Sequence, residues 1–209
     1  MRLVVVSAGL SVPSSTRLLG DRLAAAVGRT AEVDTQVVEL RELAVEIAQN
    51  FTNGFPGRAL AAAQEAVAAA DGLIVVTPVF SASYSGLFKS FFDVLDPEAP
   101  AGKPVLIAAT GGSARHSLVL EHALRPLFAY LKAVVVPTGV YAASEDWGAE
   151  GLDGRIERAA GELATLMTGL SGAVSGGVPA GRAPRASRAD AFSAVVPFEE
   201  QLAALRPTG

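Results

Sequence analysis

Three hydroxyls and a cation stand in succession at Ser14, Ser15, Thr16 and Arg17, where an apolar run ends and a helical pattern begins. Such a loop gathers the free N–H groups of a helix start beside side-chain donors. A phosphate monoester is stabilised there by aligned N–H groups and the helix dipole, with no lysine required. Arg17 can add charge from the first turn. The same residues also suit plain capping of the helix by Ser14 or Ser15. The stretch matches neither GxGxxG nor GxxxxGK[ST], so it carries no dinucleotide or Walker-type signature.

Two further loops offer surfaces for a ligand. "TPVFSASYSGLFKSFFDVL", Thr77 to Leu95, places a stiffening Pro78 beside Phe80 and Tyr84, flat side chains against which a planar ring can lie. Lys89 and Asp93 are four apart and read as a surface pair. "ATGGSARHS", Ala109 to Ser117, exposes backbone N–H groups through Gly111 and Gly112. It is not the nucleophile elbow GxSxG. The only histidines are His116 and His122 and there is no cysteine, so no metal site, thiol nucleophile or disulfide is expected. No pair of catalytic carboxylates is evident, and no catalytic side chain is assigned. One phosphate, a linker and a flat heterocycle satisfy all three loops together. FMN has those parts.

These loops need a frame. Apolar runs at Leu3–Ser7, Asp34–Leu40, Gly72–Thr77, Pro104–Ala109 and Ala133–Pro137 have the length and composition of strands. Helical spacing marks Ser15–Gly28, Arg58–Ala70, Ser85–Leu95, Ser117–Leu131 and Leu152–Met167. Alternation of this kind predicts an α/β fold: a doubly wound, three-layer, five-stranded parallel sheet. The flavodoxin-like order 2-1-3-4-5 fits five strands without a dinucleotide fingerprint, and puts ligands at the loops after strands one, three and four. The second run is the more polar, as an edge strand should be.

The chain has 209 residues, half of them hydrophobic, and a net charge of −4. This fits one globular domain and gives no basic field for nucleic acid or an anionic membrane. No apolar run approaches the roughly 18 residues that span a bilayer. The opening strand has no signal-peptide pattern, so a cytoplasmic protein is expected. From 169 to 209 the sequence turns to Gly, Ala, Pro and Arg, reading as a linker and a short tail after a domain at 1–168.

With these motifs the sequence resembles the NAD(P)H-dependent FMN reductases of flavodoxin-like fold, above all those that supply two-component and luciferase-like flavin monooxygenases. The resemblance rests on "SAGLSVPSSTR", "TPVFSASYSGLFKSFFD" and "ATGGSARHSLVLEHALRPLFAYL" and covers Met1 to Met167. It implies that Ser14, Ser15, Thr16 and Arg17 hold the FMN phosphate, with Ser7 and Gly9 shaping the turn. Pro78, Val79, Phe80 and Ser81 would meet the ring and ribityl chain. Thr110, Gly111, Gly112 and Ser113 would meet the pyrimidine edge, with Arg115 and His116 near the flavin or nicotinamide nucleotide. Relatives often carry Arg in place of Ser15 and Tyr in place of Phe80. In some, the position of His122 forms a π-bulge.

The resemblance further implies hydride transfer from NADH or NADPH to FMN, a partner monooxygenase, and a homodimer or homotetramer. Two other readings remain at this point. One is an FMN-bound reductase of quinones or azo compounds; the other is an electron-carrying flavodoxin without NAD(P)H turnover. Flavodoxins as a group are strongly acidic and often hold the ring between Trp and Tyr; against that resemblance, the modest net charge and a single tryptophan (Trp147) placed after strand five favour the reductase over the carrier.

Overall fold

The computed structural model describes residues 1–175. Of the linker and tail expected at 169–209, the part beyond 175 lies outside them. A central sheet is built on β1 (Arg2–Ser7), β2 (Asp34–Glu39), β3 (Gly72–Phe80) and β5 (Pro104–Gly111), with short additions β4 (Ser83–Tyr84), β6 (Val134–Val135) and β7 (Val140–Ala143). Its order is β2-β1-β3-β5-β6, with β4 on β3 and β7 on β5. All pairings are parallel except the β3–β4 hairpin. Counted by expected strand, this is the order 2-1-3-4-5.

Period-two alternation divides the core into two layers. Leu3, Val5, Ile74, Val76, Leu106 and Ala108 face the helices α1 (Ser15–Thr30) and α6 (Leu152–Ser175). Val4, Val6, Leu73, Val75, Val105 and Ile107 face α2 (Leu40–Asn53), α3 (Arg58–Ala69), α4 (Gly86–Val94) and α5 (Arg125–Tyr130). Phe88, Phe92 and Phe128 interlock there, with Phe92 edge-on to Phe128 at 5.0 Å. The edge strand β2 stays largely exposed, as its polar sequence predicts. Gly20 lets α1 lie close on the sheet; a β-carbon there would fall 2.9 Å from Val5.

Three features differ from expectation. First, α2 has no counterpart among the helices expected from spacing. It follows β2 with no intervening loop, and its N-cap Glu39 makes no side-chain capping bond, so the usual start signal is missing. Second, the fifth strand is broken. Pro137 lacks a donor, and β6 and β7 flank the gap along the same edge of β5. Glu162 binds both the N–H and hydroxyl of Thr138 at 2.7 Å, and Arg125 donates to the Val136 and Pro137 carbonyls at 3.0 Å, fixing the break.

Third, the helix expected over Ser117–Leu131 is composite. A 3-10 turn at Ala114–His116 and a π-helical turn at Leu120–Leu124, holding His122, precede α5. The last helix also runs through the expected domain boundary at 168 and reaches Ser175. Among the described residues no helix is long and apolar enough to cross a membrane.

Candidate flavin cleft

At the carboxyl ends of β1, β3 and β5 lies a cleft of about 550 Å³. Its first wall comes from Leu10 and Ser11 and the opening of α1, Ser15 and Thr16. Ser14 is the N-cap: its Oγ accepts the Arg17 N–H at 3.2 Å. The amides of Ser15 and Thr16 therefore remain without intrahelical acceptors. Gly9 is required by this turn, because a β-carbon there would stand 2.0 Å from Ser14 Oγ. Ser7, at the end of β1, is buried and its Oγ has no protein partner. Buried hydroxyls are seldom left so without a role.

The second wall is Pro78, Val79 and Phe80 at the end of β3. Where the sequence suggests an open loop, the chain forms a tight hairpin. Val79 pairs with Tyr84 and Phe80 with Ser83, leaving Ser81 and Ala82 as a two-residue turn, both at positive φ (49° and 64°). Thr77 Oγ1 accepts the Ser85 N–H at 3.0 Å and closes the hairpin's base. Phe80 keeps 47 % of its surface exposed, a flat apolar face toward the opening.

The third wall is Thr110, Gly111 and Gly112. The buried hydroxyls of Thr16 and Thr110 share a hydrogen bond of 2.8 Å, which joins the first and third walls. Gly111 makes room for Tyr141: a β-carbon there would lie 2.1 Å from the phenol oxygen. Tyr141 in turn donates to the Ser113 carbonyl at 2.8 Å. Burial, with Glu145 and Asp146 nearby, holds the Tyr141 pKa above its ordinary value.

A fourth wall, Ser144 and Trp147, is not among the residues expected at the site. Both lie on a 3-10 turn at Ser144–Gly148 that follows β7. A fifth strand ending at Pro137 would leave them remote; the second half of the strand, β7, returns the chain to the cleft. Leu10 and Ser11 lie in the first loop, yet residue type gives neither of them a distinguishing signal.

Several expected site residues point elsewhere. Arg17 is committed to Asp21 at 2.8 Å and to Glu39, and the Asp21 carboxylate raises its pKa further. Its partner Glu39 arrives through the β1–β2 register, where it stands opposite Ser7. Ser14 and Ser113 serve as caps, and Ser81 turns the hairpin. Arg115 and His116 lie exposed on the 3-10 turn beyond Ser113 and do not line the cleft. The first loop thus offers amides and hydroxyls, with its own arginine spent on carboxylates.

Residues 1–148 match the family described as NADPH-dependent FMN reductase. An "FMN reductase (NADPH)" of Pseudomonas aeruginosa is 39% identical over 175 residues, covering 81% of this chain and 94% of its own. An "NADH-dependent FMN reductase SfnF" of Pseudomonas fluorescens is also 39% identical, over 80% of this chain and 92% of its own. Among solved structures, an oxidoreductase from Corynebacterium diphtheriae superposes with a TM-score of 0.77 at 50% identity, covering 80% of this chain and 97% of that one.

Proposed function

Since the chain belongs to the NADPH-dependent FMN reductase family, and is an oxidoreductase of NAD(P)H and FMN, we propose that the cleft at β1, β3 and β5 takes the flavin and releases it, reduced, to a flavin-dependent monooxygenase. The residues present fit the flavin. The Ser15 and Thr16 amides and hydroxyls suit a phosphate at the start of α1. Pro78 to Phe80 would give the ring a flat apolar bed, and Gly111 and Gly112 would meet its polar edge through backbone groups. Bound there, FMN supplies the hydride-accepting chemistry. The protein's share is to align the two nucleotides face to face and to direct donors at charge that develops on the ring.

One observation carries release over retention. The phosphate end has neutral donors, while Arg17 is held by Asp21 and Glu39. A site without a free cation on its phosphate loop binds the dianion less tightly, as suits a flavin that comes and goes. The reading places the protein in the cytoplasm as a homodimer or homotetramer. It is tested by reducing FMN anaerobically with the protein and NAD(P)H, then separating small molecules by rapid ultrafiltration. Reduced flavin should pass the filter and support a flavin-dependent monooxygenase added to the filtrate. Flavin kept with the protein, together with fast reduction of an added quinone, would assign it to the FMN-bound quinone reductases instead.

A further inference from the structure

We propose that Trp147 closes the phosphate end of the cleft and thereby selects FMN over FAD; the inference rests on the flavin occupying this cleft. Trp147 shares the cleft with Ser11, Ser15 and Thr16 at the start of α1. Its ring centre lies 5.9 Å from the Arg22 guanidinium carbon. Arg22 follows Ser15 by two helical turns and so lies on the same side of α1. The indole therefore lies along the flank of the helix that opens at the cleft.

This wall is held in place from several directions. Arg22 is ion-paired with Asp153 on the first turn of α6. Asp146 accepts the Ala143 N–H at 2.8 Å and an Arg155 N–H at 3.1 Å, fixing the turn that bears Trp147. Glu145 accepts the Ala114 N–H at 3.2 Å, tying that turn to the third wall. The indole itself packs on the core between α1, α6 and the sheet.

FMN ends in a monoester, which is complete once it meets the start of α1. FAD continues through that phosphate into a second phosphate and an adenosine. A fixed indole at this end obstructs the continuation and leaves the monoester untouched, so discrimination comes from a clash against the larger ligand. The two α1 arginines nearest this end, Arg17 and Arg22, are both engaged by carboxylates rather than left for a second phosphate.

Trp147 is the chain's one tryptophan, so its emission reports on this position alone. Titrating FMN into the unaltered protein should quench that emission. Equilibrium dialysis then gives the ratio of FAD to FMN dissociation constants, a ratio in which any misfolded fraction cancels. Trp147→Ala and Trp147→Leu, the second keeping apolar packing on α6, should each lower that ratio about tenfold. Trp147→Phe should keep it within about twofold. An unchanged ratio in the Ala and Leu variants, or emission that FMN leaves unmoved, overturns the proposal. Failure of the underlying reading is distinguishable: Gly9→Ala and Thr16→Val would then bind FMN as tightly as the unaltered protein.

Discussion

A β-carbon at Gly9 would stand 2.0 Å from Ser14 Oγ, the hydroxyl that caps α1. Gly9→Ala must displace the cap of α1, at a cost of about 1 kcal/mol, and move the amides meant for the phosphate. Tyr141 is the second informative side chain. Its folded pKa is raised, so the stability its neutral phenol contributes is whole below about pH 10 and is lost as pH climbs through the higher folded value. Tyr141→Phe should cost about 1 kcal/mol at neutral pH, through loss of the bond to Ser113, and should flatten the fall in stability above pH 10. Urea unfolding from pH 7 to 11 checks both; an equally steep alkaline fall in the variant would refute the assignment. At this scale the sequence discloses the hydroxyl cluster and the double glycine, because residue type alone marks them. It marks Arg17 as a cation beside the loop but not its engagement by carboxylates. Asp21 is visible four residues on, but Glu39 reaches it only through strand pairing.

Among the elements, the β3–β4 hairpin bears the greatest local strain. Ser81 and Ala82 both sit at positive φ, where two-residue hairpin turns prefer Asn-Gly. Ala82→Gly should therefore raise stability by about 0.5–1 kcal/mol, the relief of the left-handed strain exceeding the added entropy of the unfolded chain. Thermal unfolding measures this, and a lower Tm would contradict it. Uninterrupted apolar runs make β1, β3 and β5 legible from the sequence alone. By contrast, α2 is hidden because it starts without a capping signal, and β7 because Pro137 suggests an end to the strand that it only interrupts. With β7 hidden, Trp147 has no visible route to the cleft. The hairpin gives no turn signal either, since Ser-Ala is an unusual pair for left-handed geometry.

For the whole molecule, the sheet order and two apolar layers follow from composition and periodicity, and these set where a ligand can enter. The association of chains is a separate matter. Phe51, Phe55 and Tyr130 leave 55%, 69% and 79% of their surfaces exposed, apolar area that association of chains would cover. Light scattering should give the mass of a dimer or tetramer of the 21.4 kDa chain, and a monomer at micromolar concentration would contradict the assembly proposed above. Binding of FMN in this cleft for reduction by NAD(P)H is tested most directly by steady-state kinetics. Oxidation of NADPH and NADH is followed as FMN is varied, in the unaltered protein and in Gly9→Ala and Thr16→Val. Oxidation that saturates with FMN, with KM for FMN raised about tenfold or more in both variants, is the predicted result. FMN-independent rates, or variants whose KM for FMN is unchanged, would contradict it.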